Sequence, residues 1–198
     1  MRLHEEPVSC KPCVVWFTGL SGAGKTTIAR VVEAELSARG QRVFVLDGDA
    51  LRAGLCRDLS YSEADRSENL WRAAEVAAVV ASEGFIVLAA FITPLQVDRD
   101  RIRARLESQP FIEVFVDTPI EVAEKRDPKG LYRRARLGQI GNFTGIDSPY
   151  DRPLQADLRL ETVTDTAQDL AKTVVQSILL TQGRSPDALT PNLERHTK

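Results

Sequence analysis

Short unbroken apolar runs alternate along the chain with longer stretches whose apolar residues return every three or four positions. The runs predict strands and the stretches predict amphipathic helices. "CVVWFTG" is apolar up to Gly19 and predicts a buried strand over 14–18. Residues 26–38 place Ile28, Ala29, Val31, Val32 and Leu36 among Arg30, Glu33 and Glu35, a helix that Gly40 ends. "RVFVLDGD" predicts a second strand leading into two acids. Ser62 opens S-E-A-D, a capping-box variant, and a long helix should follow to about Ser82, closed by Gly84. "FIVLAAF" predicts a third strand broken by "TP", and "DRDRIRARL" a helix with a charged outer face. "FIEVFVD" gives a fourth strand, and Pro119 suits the first turn of the helix in "PIEVAEKR". "DLRLET" can form a short fifth strand. Thr166 caps a helix with Leu170, Ala171, Val174, Val175 and Ile178 on one face. Residues 183–198 are polar and turn-rich and read as a mobile or loosely docked tail. Strands that are apolar throughout are covered on both faces. The order therefore predicts a three-layer α/β fold with a mainly parallel sheet. No internal repeat stands out.

Between the first strand and helix lies "GLSGAGKTT", which fits G-x-x-x-x-G-K-[ST] with Gly19, Gly24, Lys25 and Thr26. The strand–loop–helix setting makes this motif specific. Its glycines let backbone N–H groups turn inward around phosphate oxygens, and the helix aims its positive end at them. Lys25 should reach the β and γ phosphates, and the Thr26 hydroxyl should be a magnesium ligand. The fold is thus expected to be a P-loop NTPase fold. A GTPase would need a guanine-reading N-K-x-D, which is absent. "DPKG" fits D-x-x-G but follows a helix rather than a strand. "FIVLAAF" ends without the acid a motor ATPase places there, and a chain of 198 residues leaves no room for a coupling module. A small ATP- and magnesium-dependent kinase suits the size.

Charge refines this picture. The net charge of −2 and pI near 5.8 speak against wholesale nucleic-acid binding, so an anionic ligand must be held by locally placed arginines. No signal peptide and no apolar run long enough to span a membrane is visible, which implies a cytoplasmic protein. Three cysteines make no disulfide framework. Cys10 and Cys13 form a lone C-x-x-C with only His4 and the distant His196 as further zinc ligands, so surface thiols are expected. Residues 1–180 read as one kinase domain and 181–198 as its tail.

Ligands in open α/β sheets bind beyond the carboxyl ends of the strands. Asp47 and Asp49 flank Gly48 at the second such end. An acid here could order magnesium or take the proton of an attacking hydroxyl, or Asp49 could merely cap the next helix. Arg52, Arg57 and Arg66 suit an oxyanion as a set, and Asn69 faces the same side of a helix as Arg66. "EKRDPKGLYRRARLG" gathers Lys125, Arg126, Lys129, Arg133, Arg134 and Arg136. A charge run is usually a solvated face, but the Pro and Gly within this one suggest a hinged, basic mobile lid over about 125–147. Tyr61 and Phe143 could stack on an adenine ring, with core packing the commoner fate of either alone.

From Val14 to Tyr150 the chain closely resembles adenylyl-sulfate kinase. The resemblance rests on "WFTGLSGAGKTT", "LDGDALRAGL-RDL", "ADRSEN", "AAFITP", "FIEVFVDTP", "RDPKGLY" and "NFTGIDSPY". It implies transfer of phosphate from ATP to the ribose 3′-hydroxyl of adenosine 5′-phosphosulfate. It also implies nucleotide contacts from Gly19, Leu20, Ser21, Gly22, Ala23, Gly24, Lys25, Thr26, Thr27 and Arg126. Acceptor contacts would come from Asp47, Asp49, Arg52, Tyr61, Arg66, Asn69, Phe91, Ile92, Thr93, Lys129, Leu131 and Phe143. Lys25, Asp49 and Thr93 would be catalytic, and Thr26 and Asp49 would serve magnesium. Thr93 matches a serine described in the family as a phosphorylated intermediate, while direct in-line transfer is simpler. The family also implies a homodimer. Departures from its pattern are Tyr61 for Phe, Thr93 for Ser, Cys56 for Asn, and Leu95-Gln96 for Tyr-Arg. The last pair leaves open a same-fold kinase acting on another nucleotide-like acceptor, and a catalytically retired regulatory partner is the rival from another class.

Overall fold

The computed structural model describes residues 11–181 and 183. Its elements run β1 (Cys13–Thr18), α1 (Lys25–Ala38), β2 (Val43–Asp47), α2 (Gly48–Ala53), α3 (Glu63–Ser82), β3 (Ile86–Ala90), α4 (Gln96–Arg105), β4 (Phe111–Asp117), α5 (Ile120–Arg126), α6 (Leu131–Arg136), β5 (Leu158–Glu161) and α7 (Ala167–Thr181). The five strands are all parallel, in the order β2-β3-β1-β4-β5. Phe17 and Asp47 both lie opposite Ala90, and Thr18 lies opposite Phe115. That register brings the carboxyl ends of four strands into one row, so the loops that follow them face a common crevice.

The alternation of side chains across the sheet builds two core layers. Cys13, Val15 and Phe17 pack with Ile28, Val32 and Leu36 of α1 and with Val174 and Ile178 of α7. Val14 and Trp16 pack on the other face with α3 and α4. The α3 stripe that meets the sheet is Ala73, Ala74, Ala77 and Ala81, whose small side chains admit a close approach. A third cluster lies beyond the strand ends, where Ala123, Tyr132, Ala135 and Phe143 pack together.

Several local expectations are corrected. The basic stretch expected to be a hinged lid contains a helix, α6, whose Tyr132 and Ala135 are buried. Asp47 caps α2, accepting from the Asp49 N–H at 2.9 Å, so Asp49 sits inside the first turn. The α4 helix is not charged only on its outer face, because Asp98 and Arg99 are buried. Cys13 and Cys56 are buried rather than surface thiols. Cys10, His4, His196 and all of the tail except Thr181 and Gly183 lie outside the described residues. No helix among the described residues is long and apolar enough to cross a membrane.

Gly19 joins β1 to the phosphate loop with φ +149°, and a Cβ there would lie 2.6 Å from the Val116 carbonyl oxygen. Val116 belongs to the central sheet and cannot yield cheaply. Gly19→Ala is expected to cost at least about 2 kcal/mol of folding stability, measured by urea denaturation.

Candidate active site

Residues 19–27 wrap the start of α1 as a cradle. Gly22 and Gly24 hold φ of +71° and +103°, so successive N–H groups are turned toward the crevice. Lys25 is buried, and its ammonium donates to the carbonyls of Gly19 (2.9 Å) and Leu20 (2.7 Å). Burial, and after it the Lys129 ammonium, push the Lys25 amine down to about 7, against the opposing pull of Asp49 and Asp47. Arg126 closes the rim behind the cradle, donating to Ala23 O at 3.3 Å and to Thr162 O at 2.7 Å.

The two acids divide their work. Asp47 accepts from the Thr26 hydroxyl at 2.8 Å, so it and not Asp49 touches the threonine that follows Lys25. The Asp49 carboxylate turns outward and pairs with Lys129. Gly48 between them lies against Phe91, where a Cβ would meet the ring at 3.1 Å. A hydroxyl and two carboxylates are hard oxygen donors. They fit magnesium, which keeps water and phosphate oxygens in its shell and needs few protein ligands. No group of three or more His, Cys, Asp or Glu suited to a metal is gathered among the described residues.

From the cradle a cavity of about 950 Å³ extends past the acids to α3. Every residue singled out in the sequence for nucleotide or acceptor contact lines it except Gly19, Leu20 and Arg57. Gly19 underlies the loop, and Leu20 packs into the cores behind it. At the far end Asn69 is buried, and its carboxamide oxygen has no hydrogen-bond partner. A buried polar atom without a partner is costly, and on a residue that lines a cavity it is a natural partner for a ligand donor. The Arg52 guanidinium lies 4.4 Å from the Tyr61 ring centre. Arg66 donates to Tyr61 O (3.0 Å), to the Thr144 hydroxyl (2.8 Å) and to Asn142 O. One arginine therefore ties the Tyr61 turn to the segment that carries Phe143. Asp147 holds that segment from below by accepting from the N–H groups of Asn142 and Phe143.

Thr93 forms part of the cavity wall in a left-handed conformation, φ +44°, unusual for a β-branched residue. Its hydroxyl accepts from the Trp16 indole N–H at 2.9 Å, and the residue is 1 % exposed. Trp16 in turn stacks on Phe91, with ring centres 5.1 Å apart.

Some expected residues are not brought together. Arg57 is exposed and lines no part of the cavity. Of the six basic residues in 125–136, Arg126, Lys129 and Arg134 reach the cavity, whereas Arg136 pairs with Glu124 outside it. Leu95 and Gln96, the departure that bore on acceptor choice, do not line it either. Leu95 is the N-cap of α4, and Gln96 bonds to Arg99 and Asp100. Two contributions were missed. Tyr132 donates its hydroxyl to Ser21 O at 3.0 Å, pinning α6 onto the cradle, and the sequence showed only an aromatic within a charge run. Thr162, Asp165, Ala167 and Leu170 wall the cavity beside the cradle, and no motif marks them.

Comparison with known proteins places this geometry. A family model described as adenylylsulphate kinase matches residues 11–161. Among curated proteins, the adenylyl-sulfate kinase of Marinobacter nauticus is 49% identical over 165 residues, covering 83% of each chain. That of Geotalea daltonii is 53% identical over 169 residues, covering 85% of this chain and 81% of its own. Among solved structures, the APS kinase of Mycobacterium tuberculosis in complex with AMPPNP and APS superimposes with a TM-score of 0.83 at 47% identity. That match covers 86% of this chain and 99% of the other.

Proposed function

Because the chain belongs to the adenylyl-sulfate kinase family, we propose that it transfers the γ-phosphoryl group of ATP to the 3′-hydroxyl of adenosine 5′-phosphosulfate. The observation that carries this reading is the two-ended cavity. One end is an anion cradle, and the other is a buried carboxamide oxygen set among arginines and aromatic rings. Its volume suits two nucleotides meeting head to head over Asp49.

Phosphoryl transfer asks a protein mainly for alignment and charge stabilisation. The loop N–H groups and Lys25 hold the triphosphate. Magnesium, when bound, neutralises charge on the phosphate oxygens, and Thr26, Asp47 and Asp49 are the residues that would hold it. Asp49 stands where it can accept the proton of the attacking hydroxyl, and Lys129 beside it can follow the charge as the phosphoryl group moves. Arg52 and Arg66 face the phosphosulfate, while Tyr61 and Phe143 bracket the adenine. Residues 125–147 act as a basic lid that keeps water out. The Thr93 hydroxyl is buried and already accepts the Trp16 N–H, which favours direct transfer over a phosphorylated Thr93. The proposed working form is a homodimer in the cytoplasm, checked by light scattering on the purified protein.

ADP release with ATP and magnesium, measured with and without adenylyl sulfate and then across other nucleotides, tests the reading. Strong stimulation by adenylyl sulfate alone supports it. Stimulation only by another nucleotide moves the chain to a divergent acceptor. Asn69→Ala is expected to raise the KM for adenylyl sulfate about 10- to 100-fold and to leave the KM for ATP within about twofold, by initial-rate kinetics.

A further inference from the structure

Arg99 is 2 % exposed and does not line the cavity, yet two of its four hydrogen bonds end on Thr93 and Pro94, which do. One terminal nitrogen donates to Thr93 O (2.9 Å) and Pro94 O (3.1 Å). The other donates to Gln96 Oε1 (2.6 Å) and Asp151 O (2.7 Å). Its Nε faces the buried Glu113 carboxylate at 3.4 Å. Glu113 lies beside Trp16 in the β1–β4 register, and its carboxylate also meets Arg103 at 3.2 Å. Taking a guanidinium out of water costs several kcal/mol unless its donors are filled, and an apolar residue would often serve folding as well. The ties on the other side of the loop are informative. The Thr18 hydroxyl bonds to Ile92 O (2.6 Å) and lies 3.2 Å from Thr93 O, and the Trp16 indole bonds to the Thr93 hydroxyl. A β-branched residue at φ +44° resists its backbone, and it persists only where its surroundings over-determine it.

We propose that Arg99 is a positioning residue for phosphoryl transfer: from behind the cavity wall it locks the Thr93–Pro94 backbone in its left-handed turn. Thr93 and the Phe91 ring, which line the cavity, are thereby held against the acceptor, with the Trp16 indole packed behind them. Gln96 completes the lock by supplying an uncharged acceptor where a second cation would face Arg99. The idea rests on the acceptor reading above only for its kinetic consequence.

Arg99→Lys keeps the charge but cannot reach carbonyls in four directions, and it is the informative variant. Wild type and variant are compared in two ways. The first is NMR of the indole N–H groups, which needs no acceptor. The chain has two tryptophans, Trp16 and Trp71, so the signals are assigned with Trp71→Phe. The Trp16 signal is expected to shift in Arg99→Lys and the Trp71 signal to stay. The second is initial-rate kinetics with adenylyl sulfate. There kcat/KM for the acceptor is expected to fall about 10- to 100-fold, with the KM for ATP within about twofold. Glu113→Gln is the control for mere destabilisation, since it leaves all four Arg99 hydrogen bonds in place, the two to Thr93 and Pro94 among them. It should lower the melting temperature without moving the Trp16 signal or the acceptor constants. If Arg99→Lys is too unstable to assay, the isosteric Thr18→Val loosens the same loop from the other side, at Ile92 O and the shared Thr93 O, and carries the same two expectations. Unchanged Trp16 signals with wild-type acceptor constants would overturn the proposal. So would a loss that merely follows the unfolded fraction, as in Glu113→Gln, or one shared equally by the two substrates. Absence of wild-type turnover with adenylyl sulfate would strike at the acceptor reading and leave the NMR comparison standing.

Discussion

Lys25→Ala is expected to lower kcat by at least about a thousandfold in the coupled ADP-release assay. Lys25 is buried at the mouth of the cradle, where a charge acts through little water and is worth far more than at a surface. With its amine near 7, free enzyme holds a full charge only below that pH. The kcat/KM for ATP should therefore fall as pH rises through about 7, because fewer molecules meet ATP with the lysine charged. A bound triphosphate pulls the amine upward again, so kcat at saturating ATP should hold its value to higher pH. The same burial makes Lys25 a cost to folding. Below about 7 the folded state carries the whole penalty of an unsolvated ammonium, and the penalty fades as pH rises toward the ordinary lysine value. Lys25→Ala should thus melt at a higher temperature than the parent at neutral pH while being inactive. A variant that is both less stable and partly active would show that the lysine is a packing residue.

Asp49→Ala is expected to lower kcat about 100- to 1,000-fold while the Kd for ATP stays within about threefold. The Asp49 side chain is largely exposed, anchors no helix end, and has Lys129 as its ion-pair partner. Its loss leaves the fold intact and removes the carboxylate proposed to take the proton of the acceptor hydroxyl. Asp47→Ala separates the two acids. Asp47 caps α2 and accepts from Thr26, so this variant should also lose about 1 kcal/mol of stability, and its ATP affinity should suffer with it. Equilibrium ATP titration, urea melts and turnover on both variants make the comparison. Near-normal turnover in Asp49→Ala removes its proposed role.

Much of this architecture was legible before any coordinates. The alternation of strands and helices, the cradle and the D-G-D turn are local patterns, and each is read from neighbouring residues. The caps at Ser62 and Thr166 were equally local, and both form, with N–H to hydroxyl distances of 3.2 Å. What escaped depends on contacts between distant residues. Two acids around one glycine look alike in sequence, and only the backbone turn decides that Asp47 is the cap. Arg99 sits in a run of charges that reads as a solvated face, and only β4 reveals the Glu113 opposite it. In α6 the surrounding arginines hid the apolar pair Tyr132 and Ala135, which has no partner until Ala123 and Phe143 come across. The cavity wall at Thr162 and Leu170 belongs to elements whose place in the sheet order no motif encodes.

The sheet order has a consequence for how the two ends of the cavity yield. β1 lies at the centre, buried along its whole length, and carries the cradle. β2 lies at one edge, with Phe44 partly exposed, and carries Asp49 and Arg52. A central strand comes free only when the whole sheet parts, whereas an edge strand can peel away in a smaller opening. The proposed grip on the donor phosphates therefore has the stability of the entire fold behind it. The acid and the arginine proposed to meet the second substrate have only that of the border they hang from.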